Sequence, residues 1–129
     1  MILCIVRKGI WTIHADSSLL KDLDGLDKHE KNKILKLLST IADGDRNPQQ
    51  LPDDRCHQID AGKKLWQFRI GNIRIPWFYD EGKIVVCSHV FIKKCQKTPQ
   101  SEILRATKLK QEYFFHKKNG SLLIKGETE

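Results

Sequence analysis

Residues 65–77 read Leu65-Trp-Gln-Phe-Arg-Ile-Gly-Asn-Ile-Arg-Ile-Pro-Trp77, which is two runs of strand-forming residues joined by Gly71-Asn72. Glycine at the first central position of a two-residue loop suits the type II′ turn, whose twist matches that of paired strands. A hairpin with this loop pairs Ile70 with Ile73 and continues outward one residue at a time. Its apolar face then also carries Trp66 opposite Trp77 and Phe68 opposite Ile75.

The other face of the predicted hairpin brings two arginines together. It pairs Arg69 with Arg74, and Gln67 with Pro76. Like charges directly opposite each other destabilise a sheet by roughly 0.2–1 kcal/mol. An anion that contacts both guanidinium groups would offset this repulsion, and the planar fork of arginine suits phosphate oxygens. We interpret the pair as an anion site; the alternative is that both side chains diverge into solvent or pair with carboxylates elsewhere.

The composition is that of one ordinary globular domain with an uneven distribution of charge. We assign a single domain to residues 1–129, with an N-terminal extension over 1–9 and a C-terminal tail over 120–129. Residues 1–62 contain nine Lys or Arg and ten Asp or Glu, whereas residues 63–129 contain fourteen and six. The net charge of +8 in the second half attracts polyanions: nucleic acid first, an acidic protein second and an anionic membrane surface third.

Several features predict a cytoplasmic protein without a metal or a cofactor. The opening Met1–Val6 lacks a preceding basic region and a cleavage site, so we expect a strand or an ordered extension there and no signal peptide. No apolar run approaches the roughly 18 residues of a membrane span. The four cysteines are scattered without a CxxC pair; their even number would suit disulfides in a secreted chain, but we find no signal for secretion and therefore expect reduced thiols. Zinc binding by Cys56-His57 with Cys87-x-His89 is the disfavoured alternative, since the ligand spacing is unusual.

After a short N-terminal strand, helical patterns come first along the chain and the other strand patterns follow. A short strand over 10–13 leads into a helix capped at Ala15–Ser18, and a second helix begins where Asp27 and Glu30 form a capping pair. Gly44 ends that helix, and a polar loop over residues 43–62 leads to the sheet. The later predicted elements are an antiparallel meander with strands near 64–70, 73–79 and 83–92, a helix over Ser101–Phe115, an apolar tail over 121–124 that docks, and a frayed end over 126–129.

Pro76 requires a special position within this meander. Proline has no N–H to donate to a strand ladder, so the sequence predicts a sheet edge or a bulge at this residue.

With this order of elements, three segments carry a resemblance to a known family. They are Leu65-Trp-Gln-Phe-Arg69, Ile73-Arg74, and Ser88-His-Val-Phe-Ile-Lys-Lys-Cys-Gln-Lys-Thr-Pro99. The chain resembles the RelE/ParE superfamily of toxins from bacterial toxin–antitoxin pairs, and within it the HigB-type, phage Gp49-like branch. That branch shows an aromatic residue and Leu before Glu-Leu-Arg, then Tyr-Arg, then Leu-His-Gly-Phe-x-Lys-Lys-Thr-Gln-Lys-Thr-Pro. This chain departs from the pattern at Ile73, Pro76 and Cys95.

The resemblance implies a fold, an activity and a partner. The implied fold is α+β, with a twisted antiparallel sheet, two N-terminal helices packed on one face, a C-terminal helix and a basic concave face. The implied activity is ribosome-dependent cleavage of mRNA by a metal-independent endoribonuclease. The implied partner is a cognate antitoxin, commonly of the helix-turn-helix type.

Roles for individual residues follow from this chemistry. Attack by a 2′-OH needs charge stabilisation at the phosphate, which we assign to Arg69 and Arg74. We expect Lys94 beside the scissile phosphate, and the alternative for each lysine of the motif is a solvated face. The remaining expected RNA contacts are Lys93, Lys97 and Gln67.

His89 is the candidate proton carrier, because histidine exchanges protons near neutral pH. A four-residue loop over Asp80–Lys83 would place His89 opposite Arg74, whereas a loop one residue shorter would turn it away. The alternative role for His89 is that of a hydrogen-bonded structural residue.

Two other functions compete with the nuclease. One is a toxin of the same fold that binds a protein target such as DNA gyrase, as the ParE side of the superfamily does. The other is a noncatalytic RNA-binding domain, which is disfavoured because the aromatic residues fall mostly on the apolar face and form no stacking ladder.

Overall fold

The structure, a computed structural model, describes residues 1–94 and 96–126. Cys95 and the end of the predicted frayed tail, residues 127–129, lie outside the described residues. The strands are β1 (Ile2–Lys8), β2 (Thr12–Asp16), β3 (Cys56–Asp60), β4 (Leu65–Ile70), β5 (Ile73–Asp80), β6 (Ile84–Cys87), β7 (Phe91–Ile92) and β8 (Leu123–Lys125). The helices are α1 (Ser17–Asp24), α2 (Lys28–Asp43) and α3 (Gln100–Lys118), with one 3₁₀ turn at Pro48–Gln50.

The predicted hairpin is confirmed as β4 and β5. The two strands pair antiparallel, with Arg69 opposite Arg74 and Ile70 opposite Ile73. Gly71 has a φ of +57° and Asn72 does not have a positive φ. This asymmetry is the one that a type II′ turn requires, since only its first central residue takes a positive φ.

The two faces of the sheet form two separate cores. Helices α1 and α2 cover one face, where the apolar side of the hairpin packs with Phe68 and Trp77 fully buried. The C-terminal helix α3 covers part of the opposite face, where Tyr113 and Phe78 are buried. The α+β class is therefore confirmed. The side of the hairpin that carries the arginines shares its face of the sheet with α3.

The sheet is mixed, in the order β3-β4-β5-β6-β2-β1-β8, with β7 paired to β5. The predicted antiparallel meander is confirmed as β4 to β6, and β3, within the predicted loop over 43–62, adds an antiparallel strand to it. In contrast, β2 pairs parallel with β6, and β1 pairs parallel with β8. Parallel neighbours need a long crossover between them. Here β2 and β6 are separated by α1, α2 and three strands, and β1 and β8 are separated by most of the chain. The predicted N-terminal strand and the docking of the apolar tail are thus confirmed as β1 and β8.

Pro76 lies in a central strand, so the prediction of a sheet edge is wrong. Within β5 its pairing with Gln67 is not hydrogen-bonded, because such pairs alternate along an antiparallel ladder. Its missing N–H therefore points to the other neighbour, where the predicted strand 83–92 is broken into β6 and β7. Because the neighbouring strand is interrupted at residues 88–90, no ladder hydrogen bond requires an N–H from Pro76. The carbonyl oxygen of Pro76 still accepts from the Ser88 N–H at 2.8 Å.

Helix caps follow the sequence closely. The Asp16 carboxylate accepts from the Ser18 N–H to begin α1, and the Asp27 carboxylate accepts from the Glu30 N–H to begin α2. The described residues include no helix with the length and apolar character that a membrane crossing needs.

The turn at Gly71 allows a clean stability test. We expect Gly71→Ala to lower the free energy of unfolding by about 1–2 kcal/mol, because a Cβ disfavours the left-handed conformation. No atom lies within 4 Å of an added Cβ there, so sterics with neighbours do not contribute. The matched control is Gly62→Ala, where the φ is not positive and the added Cβ meets only Asp60 Oδ1 at 3.6 Å. Urea denaturation that shows equal losses in both variants would contradict the turn assignment.

Candidate functional site

A basic cleft lies on the α3 face of the sheet, beside the hairpin turn. Its walls come from β4, from β5 and from the segment that runs from β7 to the start of α3. The lining residues are Gln67, Arg69, Arg74, Phe91, Lys93, Gln96, Lys97, Thr98 and Pro99. The described residues that line it include four cations and no carboxylate, so the cleft favours an anionic ligand.

Arg74 forms the buried floor of the cleft. Its side chain is 7% exposed, and one guanidinium nitrogen donates to the carbonyl oxygens of Gly71 at 2.7 Å and Ile73 at 3.0 Å. Burial, and secondarily the charge of Arg69, lower its pKa from the usual range. Both causes disfavour the charged form, and a bound anion would relieve the second of them.

Arg69 is held from the opposite side by Asp53. Its Nη1 donates to the Asp53 carbonyl oxygen at 3.1 Å and lies 3.8 Å from the Asp53 carboxylate. Its Nε is buried and has no hydrogen-bond partner within the described part of the chain. A buried donor without a partner costs roughly 1–3 kcal/mol, so this nitrogen adds to the cost of placing Arg69 opposite Arg74.

The chain between β7 and α3, described at residues 93, 94 and 96–99 and called the lysine segment below, is joined to the hairpin by two hydrogen bonds. The Lys93 backbone N–H donates to the Asn72 carbonyl oxygen at 2.7 Å, and the Thr98 hydroxyl donates to Gln67 Oε1 at 3.3 Å. Gln67 is only 2% exposed, so this contact lies at the base of the cleft. The segment therefore stands as a wall beside the two arginines.

Five of the seven residues predicted from the sequence line this one cleft. Lys94 is the nearest exception, because it lines a shallow open depression next to it with Asn72, Lys93 and Gln96. The five that converge are Gln67, Arg69, Arg74, Lys93 and Lys97.

His89 is turned away from the arginines, so its expected placement opposite Arg74 is wrong. The loop between β5 and β6 has three residues, and the pairing of Asp80 with Ile84 shifts the register by one. Phe91 of β7 takes the place opposite Arg74. The fully buried His89 ring instead lies 2.8 Å from the Ser88 hydroxyl through Nδ1 and 3.4 Å from a Glu102 carboxylate oxygen through Nε2.

The surroundings of His89 keep it uncharged. Burial, with a secondary effect of the Arg105 charge, lowers the pKa of His89 to about 4. The nearby Glu102 carboxylate does not offset the loss of water around the ring. A histidine that is neutral and enclosed at neutral pH fits a structural role at the start of α3.

Two residues at the edge of the cleft were missed by the sequence analysis. The pairing of β3 with β4 places His57 directly opposite Gln67, and the Arg69 N–H donates to the Arg55 carbonyl oxygen at 2.8 Å, which extends the same ladder. His57 and Arg55 therefore share the face that carries Gln67 and Arg69. Strand β3 lies within a stretch that the sequence predicts as a loop, so no register was available to find them.

Comparisons with known proteins agree with this architecture. The chain belongs to the family described as "Phage derived protein Gp49-like (DUF891)", whose model matches residues 21–111. It is similar to the archaeal RelE–RelB complex from Pyrococcus horikoshii OT3, with a TM-score of 0.55 and 14% identity over 67% of this chain and 99% of that chain. It is also similar to the RelB–RelE antitoxin–toxin complex from Methanococcus jannaschii, with a TM-score of 0.50 and 14% identity over 70% and 93% of the two chains. A comparison with curated proteins gives no match. The family expected from the arginine and lysine motifs is confirmed, and the fold is that of RelE.

The buried His89 predicts a loss of stability in mild acid. Unfolded chains protonate histidine near pH 6.5, whereas folded His89 does so only near pH 4, so the unfolded state binds more protons between these values. The free energy of unfolding should fall as the pH drops from 6.5 to 4, by at most about 1.4 kcal/mol per pH unit from this residue. His14, whose pKa burial also lowers, adds a slope of the same sign. Urea denaturation at several pH values should show a shallower slope for His89→Gln, and an unchanged slope would contradict the assignment.

The cleft also predicts anion binding that can be measured without RNA. At low salt, inorganic phosphate should raise the free energy of unfolding by about 1 kcal/mol at five times its Kd. Arg69→Gln and Arg74→Gln should each remove most of this stabilisation, because each takes away donors from the same anion. Arg46→Gln, at an exposed position that does not line the cleft, is the charge-matched control. Equal phosphate effects in all four proteins would exclude an anion site at the arginine pair.

Proposed function

We propose that this chain is the toxin of a type II toxin–antitoxin pair of HigB type and that it cleaves ribosome-bound mRNA without a metal. The observation that supports this most directly is the convergence of Arg69 and Arg74 with Lys93 and Lys97 in one cleft. Cations on two sides of one small pocket attract a single anionic group, and the phosphodiester of RNA is such a group. Among the described residues no group of three or more His, Cys, Asp or Glu is placed to hold a metal.

The chemistry assigned to the arginines is stabilisation of the transition state. When a 2′-oxygen attacks the neighbouring phosphorus, negative charge grows on the two non-bridging oxygens. Arg74 is fixed by hydrogen bonds to two backbone carbonyls, and Arg69 is fixed by its contacts with Asp53. Preorganised donors of this kind are each worth roughly 2.7–4 kcal/mol of barrier reduction.

The lysine segment is proposed to hold the RNA backbone on either side of the reacting phosphate. Lys93 and Lys97 line the cleft, and Lys94 faces the adjoining depression. Each phosphate that they neutralise releases counterions, so binding to mRNA on the ribosome should weaken as salt rises. Gln67 at the base of the cleft is proposed as a neutral contact to the same strand.

The proposed protein partner is an acidic antitoxin, of helix-turn-helix type by family resemblance. Both similar structures named above are complexes of a RelE toxin with a RelB antitoxin. The charge of +8 in the second half of this chain gives an acidic partner and an RNA the same attraction. Action on mRNA implies the cytoplasm as the place of activity.

Primer extension on total RNA after brief induction tests the proposed function. We expect cuts at codon-phased positions in translated messages with the wild-type chain. Arg69→Ala and Arg74→Ala should each reduce cleavage by about 10²–10³-fold, since each removes a donor to the developing charge. Arg46→Ala should cleave as the wild type does.

Melting curves accompany this experiment, to show that each variant is folded. Full cleavage by both folded arginine variants would remove them from the proposed site. DNA damage without RNA cuts would overturn the nuclease and favour a gyrase-binding toxin.

A further inference from the structure

We propose that His57, oriented by Asp53, is the general base that removes the proton from the attacking 2′-OH. This inference rests on the proposed nuclease function and names a catalytic residue for it. The observations that carry it are the register of β3, a hydrogen-bonded His–Asp pair, and the contact of that Asp with a cleft arginine.

The sheet places His57 next to the cleft. It pairs with Gln67 across β3 and β4, and side chains of directly paired residues stand on the same face about 4.5–5.5 Å apart at Cβ. Gln67 lines the cleft, and the next residue of β4 on that face is Arg69. His57 is exposed to solvent, so an RNA strand that enters the cleft can reach its ring.

Asp53 fixes the protonation pattern of the ring. His57 Nδ1 lies 2.9 Å from Asp53 Oδ1, and this hydrogen bond is the main cause that lowers the pKa of Asp53. An ionised carboxylate only accepts hydrogen bonds, so the neutral ring carries its proton on Nδ1. Its Nε2 is then the unprotonated nitrogen and the one available to a substrate.

The same carboxylate links the base to the phosphate site. Its second oxygen, Oδ2, lies 3.8 Å from Arg69 Nη1, and the backbone carbonyl of Asp53 accepts from that nitrogen as well. Asp53 therefore contacts both the ring of His57, the proposed proton acceptor, and the guanidinium of Arg69, the proposed hydrogen-bond donor to the phosphate. The charged groups that share this arrangement with His57 are Asp53, Arg69 and, two residues earlier in the chain and on the same face, Arg55.

No residue that lines the cleft offers a comparable base. The lining set consists of cations, amides, a hydroxyl and apolar groups. His89 is enclosed on the side of α3, with its Nε2 toward Glu102. The β3–β4 pairing places the imidazole of His57 beside the strand that carries Gln67 and Arg69.

The reaction balances without any further reagent. His57 Nε2 takes the proton of the 2′-OH while the 2′-oxygen forms a bond to phosphorus and the bond from phosphorus to the 5′-oxygen breaks. The leaving 5′-oxygen takes a proton from water, and the imidazolium returns its proton to the resulting hydroxide. The products are a 2′,3′-cyclic phosphate and a 5′-hydroxyl end.

The test is single-turnover cleavage of mRNA on purified ribosomes across pH 5–8. Positioned bases contribute roughly 10²–10⁴-fold, so His57→Gln should slow cleavage by at least about 100-fold. The remaining slow reaction should lose the acid limb of the pH profile that a titrating histidine produces. Added imidazole should partly restore the rate of His57→Ala. Asp53→Asn should also slow cleavage, because an amide no longer enforces the Nδ1–H tautomer.

Two controls separate this role from a structural one. His29→Gln changes an exposed histidine in the first turn of α2 and should leave rate and pH profile unchanged. An mRNA with a 2′-deoxy sugar at the cleavage position should bind wild type and His57→Gln equally well. If the wild type cleaves and His57→Gln keeps its rate within about threefold with the same acid limb, the general base lies elsewhere. If the wild type does not cleave loaded ribosomes, the nuclease proposal itself falls, and the role of His57 falls with it.

Discussion

The opposition of Arg69 and Arg74 across one strand pair is the constraint on which the cleft depends. A two-residue turn fixes it, because a shift of the register by one residue would move one arginine to the other face of the sheet. The cost is a repulsion of roughly 0.2–1 kcal/mol. The opposite face of the same hairpin outweighs it: Phe68 and Trp77 are fully buried with ring centroids 4.8 Å apart, and burying one such side chain is worth roughly 1.5–3 kcal/mol. Burial of the apolar face thus keeps Arg69 and Arg74 directly opposite each other despite the repulsion between their charges.

The break between β6 and β7, and the chain from β7 to the start of α3, form the rest of the cleft beside the hairpin. The break at residues 88–90 lies beside Pro76, where a regular ladder would need an N–H that proline lacks. Beyond the break, β7 returns to pair Phe91 with Arg74, and the chain then carries the lysine segment past the turn to Pro99. Pro76, which is unfavourable in a regular strand, therefore lies beside the break after which the chain leaves the sheet and forms the wall of the cleft.

Local patterns decided what could be predicted from the sequence. The β4–β5 register follows from Gly71-Asn72 and alternation, and the caps at Asp16 and Asp27 follow from side chains that bond within three residues. The register of β5 with β6 depended on whether one loop had three or four residues, and that difference moved His89 out of the site. Strand β3 carries weak strand propensity in a polar stretch, so its pairing, and with it His57, arises only from contact with β4. Parallel pairing of β2 with β6 joins segments far apart in sequence, which no local pattern can specify.

Asp53 connects the two halves of the proposed chemistry, and its position has a physical consequence. Its carboxylate lies near both Arg69 and His57, at 3.8 Å and 2.9 Å. A phosphate that binds Arg69 offers the guanidinium a stronger, bidentate anion and competes with this long contact. Asp53 then keeps its hydrogen bond to His57, which holds the ring in one orientation. Binding of the substrate phosphate and orientation of the proposed base are therefore coupled through a single exposed carboxylate.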